Sequence, residues 1–510
     1  MIGTSLPEYV LIRASIFALR AVGPLSIFYT AFSIADPPSS SAGKALLSYC
    51  VVETGFWLFC FFRRRSLQKP AVHPPVLKRE ERQELFQRCC ENIPNPEYYV
   101  SKWLLGASSN AIRRDNVKEF FRWALLNRGD KDIQKKGEEG REEDEELESY
   151  VDGVETLLGR PLEHGRGSAK SLRLTVDEVN MAHRPFLWYC IVGLVDTLTA
   201  AYLRYHGFVL HRTPLRYWPF LFPFRLADFF TRQTSPTAGM SYWYRPHTSK
   251  TRLPILFIHG ISMGLYSYAQ FLAEIPKSDS LAAEDGEVGI IAIELMPISF
   301  RITGEMPTAE ELCRQISVIL DAHGWDKVVL ASHSYGSVIT KHLLKNDLTK
   351  DKIGPMVLID PVAFMLHLPD VAYNFTARKP KGANEHQLWY FASTDMMVAH
   401  TLARHFFWSE NILWKEDIRG HDVTVSLGGR DLIVDTETVG KYLSGTDLRA
   451  EDDNWKEANF VDHGIQMLWW PTCDHAQVFE RAEGRLKLAE RVRQYAGQIE
   501  SGERYSDEIP

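Results

Sequence analysis

Three side chains of the right types for acyl transfer stand in order along the chain: Ser334 in SHSYG, Asp431 in GGRDLIVD and His475 in TCDHAQVF. A serine hydroxyl is a weak nucleophile until a base takes its proton, an imidazole does this near neutral pH, and a carboxylate fixes the imidazole's orientation. The chemistry also needs N–H donors aimed at the oxyanion that forms. Gly260 in FIHGIS lets the backbone turn toward such a site, which makes Ile261 N–H one candidate donor. Tyr335 N–H, where a helix would begin after Ser334, is the other. Asp360, in LIDPV at the end of an apolar run, and Asp435 are alternatives to Asp431 as the acid. Asp474 is too close in sequence to His475 to reach its ring. His333 should point away from the Ser334 hydroxyl and shape the pocket, His259 should support the oxyanion loop, and His463 is a weaker candidate for the base.

The elements that must position these groups begin at about Met240, where short strands alternate with helices, the pattern of a mostly parallel α/β sheet. Strands are expected at Ile255–His259, Val288–Glu294, from Val328, at Ile353–Ile359, at Asp422–Leu427 and at Ile465–Trp470. A helix capped by Thr308 and a final helix over Ala476–Val492 are also expected. Ser334 thus sits at the apex of a strand, a tight turn and a helix, and each partner residue follows a strand of its own. That context is a nucleophile elbow, usually G-x-S-x-G; here Ser332 replaces the first glycine and Gly336 keeps the second. No internal repeat, no G-x-G-x-x-G and no phosphate-binding Walker loop is present.

Through FIHGIS, SHSYGS, GGRDLIVD and TCDHAQVF, the chain from Met240 onward resembles the α/β-hydrolase superfamily, in particular its esterase, lipase and thioesterase members. The resemblance implies a mostly parallel sheet with helices on both faces and a Ser334–Asp431–His475 triad with no cofactor or metal. It also implies a helical lid inserted at about 362–417. Residues 1–239 lie outside it; they look like the accessory region of membrane-associated fungal hydrolases. Within the insertion, Phe364, Met365, Leu366, Trp389, Tyr390 and Phe391, with Met396, Met397, Phe406, Phe407 and Trp408, are expected to line an acyl-sized cavity.

Of 510 residues, seven are scattered cysteines without a C-x-x-C pair, which argues for reduced thiols rather than a zinc site or disulfide framework. A net charge of -7 gives no basic footprint for nucleic acid. Apolar runs at Ala21–Ala35 and Ala45–Phe62, the second ending at Arg63-Arg64-Arg65, are each marginal against the roughly 20 residues a spanning helix needs. A cleaved leader competes for the first run, and a hairpin dipping into one leaflet suits both. The arginine triplet predicts that the chain beyond Phe62 faces the cytosol of an intracellular membrane, such as the endoplasmic reticulum or a lipid droplet. Pro185–Leu203 reads as a buried or interface-lying helix in preference to a third span, because Asp196, Thr197 and Thr199 interrupt it. The expected organisation is an anchor over 1–66, a helical accessory region over 67–239 with a charged linker at 130–150 (its charge run Asp130–Glu148 reading as a solvated linker or an exposed helix), a catalytic domain over 240–500 and a tail over 501–510. The expected function is hydrolysis of a lipid or other apolar ester. The same residues would serve a thioesterase, amidase or acyltransferase, and a non-catalytic scaffold could retain the fold.

Overall fold

The computed structural model describes residues 2–129, 138–278, 285–457, 461–462 and 464–497, so His463 and the tail at 501–510 lie outside the described residues. The chain has an α/β architecture built on a mostly parallel sheet. One sheet runs in the order β1-β2-β4-β3-β5-β6-β7-β9-β8. Its strands are β1 (Val209–His211), β2 (Ser241–Arg245), β3 (Ile255–Ile258), β4 (Ile290–Glu294), β5 (Val328–His333), β6 (Ile353–Ile359), β7 (Val423–Gly428), β8 (Val461–Asp462) and β9 (Ile465–Trp470). From β4 through β3, β5, β6 and β7 to β9 every pairing is parallel, while β1, β2 and β8 join antiparallel at the edges.

Parallel strands covered on both faces must be apolar on both faces, and sequences such as ILFI and IIAIE meet that demand. Leu256, Ile258, Ile291, Ile293 and Leu330 enter one core, whereas Ile255, Phe257, Ile290, Ala292 and Val329 enter the other. The alternation is the two-residue period of a strand.

Residues before 240 are more deeply joined to the sheet than expected. β1 comes from that region, and the core on the elbow-helix side of the sheet continues into Trp103, Phe120, Phe121, Tyr150 and Val154 of the preceding helices. Helices α3 (Arg79–Glu91), α4 (Pro96–Trp103), α5 (Arg114–Leu126) and α6 (Glu138–Leu158) have apolar faces that need a partner, and the sheet and its insertion supply it. The stretch expected as a charged linker is helical from Glu138. Leu147, Tyr150, Val151 and Val154 are buried at helical spacing, and Arg114 gathers Glu148, Asp152 and Glu155 at 2.6–2.8 Å.

Among the described residues, three helices are long and apolar enough to cross a membrane: α1 (Leu6–Ala35), α2 (Ser41–Ser66) and α7 (Phe186–Tyr205). α1 and α2 form a hairpin. The first half of α1 packs Ile12 and Ile16 against Ala383 and Tyr390, while Leu25, Phe28 and Ile34 are exposed further along. α7 exposes Leu187, Ile191, Leu194 and Leu198 on one face. It turns Asp196 inward to Arg301 at 2.7 Å and Arg225 at 3.5 Å. All seven cysteines are free.

Candidate active site

The elbow follows from close packing. Ser334 has φ of +50°, a left-handed conformation that an L-residue adopts only when its surroundings enforce it. A Cβ on Gly336 would meet Ile258 O at 2.5 Å, and one on Gly260 would meet Ser334 Cβ at 2.7 Å, so neither position tolerates a side chain. Ser332, the departure from the usual glycine, is extended and fully buried, and its Oγ accepts a hydrogen bond from Thr340 Oγ1 at 2.8 Å. The elbow helix Gly336–Lys345 therefore ties the serine down across the turn.

At the tip, His475 Nε2 lies 2.9 Å from Ser334 Oγ, and His475 Nδ1 lies 2.6 Å from Asp431 Oδ2. The other Asp431 oxygen accepts from Ile433 N–H at 2.8 Å and Val434 N–H at 2.9 Å, which fixes the carboxylate. Burial alone would pull the His475 imidazolium down, but the carboxylates of Asp431, Asp360 and Asp474 outweigh it, and the ring's pKa is raised. Ile261 and Tyr335 line the same cavity as Ser334. Contrary to the final helix expected over Ala476–Val492, His475 does not open a helix. Ala476 takes φ of +65°, a short 3-10 turn follows, and the final helix runs over Ala482–Gly497. The left-handed residue turns the chain where a continuous helix would run on.

The alternatives have other partners. Asp435 caps the helix Thr436–Leu443, accepting from Thr438 N–H at 3.1 Å. Asp474 accepts from His475 N–H at 2.7 Å and Leu432 N–H at 3.0 Å. Asp360 comes close without bonding the His475 ring. It is buried at φ of +41°, and it accepts from Gly428 N–H at 3.1 Å and Ala476 N–H at 2.8 Å, joining the loops that carry Asp431 and His475. Burial and the nearby Asp431 charge push its pKa up, although His475 opposes them. Asp360, Asp431 and His475 have ligand-type atoms within 4.8 Å of one another. Those atoms are already engaged with backbone N–H groups, with each other and with Ser334, so a cation there would have to displace the His475–Asp431 contact.

Both upstream histidines are buried supports. His259 Nε2 accepts from Leu295 N–H at 2.9 Å, so Nδ1 carries the proton and donates to Gly260 O at 2.6 Å, holding the loop before Ile261. Gly260 N–H donates to Tyr268 Oη at 3.2 Å, and that hydroxyl lies 2.8 Å from His333 Nδ1. Burial, with His475 and His259 nearby, holds the His333 pKa well below the ordinary value. Sequence reasoning missed Ser337. Its Oγ donates to Ser334 O at 2.6 Å and accepts from Val362 N–H at 3.0 Å and Ala363 N–H at 3.1 Å, linking the elbow to the start of the insertion.

Ser334 opens on a narrow cavity of about 70 Å³. Of the insertion residues expected to line it, Leu366, Phe406, Phe407 and Trp408 do. Phe364, Met365, Phe391, Met396 and Met397 instead pack in the core beneath, Tyr390 packs against α1, and Trp389 faces a different cleft. The opposite wall comes from before residue 240, as Trp103, Trp123, Leu174 and Thr175. Trp103 Nε1 donates to His367 O at 3.0 Å and Trp408 Nε1 to Ala124 O at 2.8 Å, so the two regions are pinned together. A smaller apolar cavity adjoins, and Trp103, Trp123 and Trp408 line both.

No family model and no curated protein matches the chain. Similar solved structures include a bacterial membrane phospholipase A, 12% identical, which covers 60% of this chain and 94% of its own at a TM-score of 0.38. A carboxylesterase from Bacillus subtilis is 13% identical over 61% of this chain and 100% of its own, with a TM-score of 0.34. A lipase from Acinetobacter baumannii, described as putative, is 11% identical over 59% and 97%, with a TM-score of 0.36. At these scores the likenesses stand as similarities alone; the fold rests on the chain's own strand order and elbow.

Proposed function

We propose that this chain is a serine hydrolase of lipid or other apolar acyl esters. The observation that carries the reading is the hydrogen-bonded series from Ser334 through His475 to Asp431, opening on a cavity walled by tryptophan and phenylalanine. Ser334 Oγ attacks the ester carbonyl while His475 Nε2 takes its proton. Asp431 holds the imidazolium, and Ile261 and Tyr335 N–H donate to the tetrahedral oxyanion. The intermediate collapses to an acyl-Ser334 ester, and His475 returns the proton to the departing alcohol. Water, deprotonated by the same ring, then attacks the acyl-enzyme, releasing the carboxylic acid and restoring Ser334.

The apolar hairpin α1–α2 serves as a membrane anchor, residues 67–239 as a cap over the insertion, and residues 240–500 as the catalytic body. The catalytic body faces the cytosol, on the charge of Arg63–Arg65. α7 lies at the interface with its apolar face toward lipid and Asp196 held inward.

The experiment is product analysis with the purified full-length chain and a long-chain acyl ester, in water with and without added alcohol or amine. The reading predicts free carboxylic acid, with turnover lost in Ser334→Ala. Acyl transfer to the alcohol or amine in preference to water would contradict hydrolysis and favour an acyltransferase.

A further inference from the structure

A second cleft, of about 790 Å³, lies between the Arg13–Ala21 stretch of α1 and the insertion, and its walls are strongly basic. Arg13 and Arg20 reach it from α1, while Arg378, Lys379 and His386 reach it from the insertion. Arg13 and Arg20 are seven residues apart, two turns of helix, and so share a face. Among the described residues, no Asp or Glu lines the cleft. The cations that have partners are only partly compensated. Arg378 reaches Glu385 at 3.5 Å and Leu432 O at 2.8 Å, and Arg13 Nη1 lies 3.3 Å from the His386 ring, which offers no negative charge when neutral. For Arg20 and Lys379 no acidic partner is found among the described residues. Four permanent charges of one sign facing a shared space repel one another, and an anion between them reverses that cost.

The surroundings point to the anion's source. Phe17 and Trp389 also line the cleft, and α1 runs on from Ala21 into the apolar half of the hairpin. Leu11 and Phe17 are 65% and 76% exposed on the same helix. The cleft thus has a basic interior at the level where an apolar hairpin meets the polar body. A phosphate with acyl chains attached fits that gradient, since arginine forks match phosphate oxygens and the apolar flank receives the chains. Thr376 lines both this cleft and the Ser334 cavity, so a single side chain's thickness separates them at that point.

We propose that the cleft formed by Arg13, Arg20, Arg378 and Lys379 binds the phosphate headgroup of an anionic membrane lipid. The site is separate from the triad and does not depend on the hydrolase reading.

Binding is measured by calorimetry on the full-length chain in neutral detergent, as wild type and as Ser334→Ala so that turnover cannot interfere. Three probes are compared: dioctanoyl phosphatidate, dioctanoyl phosphatidylcholine and inorganic phosphate. Phosphatidate is expected to bind at one site in both proteins, about tenfold or more tighter than either other probe. R20Q/K379Q should weaken it by about tenfold with an unchanged melting temperature. Should the double variant melt early, K379Q alone decides, because Lys379 is exposed and its loss should weaken phosphatidate binding without touching the core. Equal affinity for phosphatidylcholine, or undiminished phosphatidate binding in the folded variant, would overturn the proposal. Inorganic phosphate binding as tightly as phosphatidate would overturn the lipid assignment in favour of a free phosphate. Failure here with catalytic turnover intact would leave the hydrolase reading standing.

Discussion

In the proposed role of base, His475 has to be neutral to accept the Ser334 proton, yet three carboxylates surround it. Burial works against the imidazolium, but Asp431, Asp360 and Asp474 together hold the ring's pKa above the ordinary histidine value of 6.5. The sign follows directly: the base form is the deprotonated one, so raising the pKa moves the acid limb of the rate profile to higher pH. Asp360 is the carboxylate whose removal tests this, because it touches neither Ser334 nor the His475 ring nitrogens; its oxygens accept Gly428 and Ala476 N–H. Asp360→Asn should shift the acid limb of kcat/KM to lower pH. It should also cost some stability, because an amide offers one acceptor oxygen for two buried N–H groups, and an N–H left without a partner costs about 1–3 kcal/mol. A limb that stays in place, with the variant folded, would show that Asp360 acts only as a loop tie. Ser332 is a simpler case. Its hydroxyl is held by Thr340 across the turn, which is how the elbow accommodates a side chain where glycine is usual.

Among the elements, the insertion and the helices before residue 240 share the work of making the cavity. Trp408 stands between the Ser334 cavity and the smaller apolar space beside it, with its indole N–H on Ala124 O. Trp408→Ala should join the two spaces and shift the preference of kcat/KM toward longer chains in a series of p-nitrophenyl esters. Truncating a well-buried tryptophan costs about 3–5 kcal/mol, and Trp408, being only half-buried, should cost less. An unchanged chain-length profile would mean that acyl chains run elsewhere. The two halves of this cavity differ in how far the sequence revealed them. Ser334, Asp431 and His475 were legible because each follows its own strand, and parallel strands bring their carboxyl ends together whatever lies between them. Leu366, Phe406, Phe407 and Trp408 were legible from the apolar and aromatic clustering within the insertion. Trp103 and Trp123 were not, because their helices carry apolar faces whose partner lies more than 200 residues away, and periodicity gives a face without its destination. Ser337 was missed for a related reason: a buried serine that bridges three backbone groups has no sequence signature.

Across the whole molecule, the apolar hairpin, the helices before residue 240 and the sheet with its insertion are bonded into one unit. Arg404 of the insertion donates to Lys69 O at 2.7 Å, Leu174 O at 3.2 Å and Asp177 O at 2.9 Å. Arg184, fully buried, reaches Thr394 O at 3.0 Å. Arg63 at the end of α2 donates to Thr303 O at 3.0 Å. The Arg404 and Arg184 bonds fasten the earlier helices and loops to the insertion at several points, and Arg63 ties the hairpin to the sheet region, so the cavity wall is part of the packed core. The boundary expected at residue 240 was invisible as a junction because β1 and the core both cross it. The charge run after Asp130 suggested a solvated linker or an exposed helix; its amphipathic half is a helix, packed by its apolar face and with its acids paired to α5.

The central claim, that Ser334 is a nucleophile activated by His475 and Asp431 within this unit, is tested most directly by fluorophosphonate labelling of the full-length chain, with the modified residue located by peptide mass spectrometry. The account predicts label on Ser334 Oγ, none in a folded Ser334→Ala variant, and labelling slowed by about a thousandfold or more in His475→Ala. Label that persists in folded Ser334→Ala, or a folded wild type that takes no label at all, would contradict it.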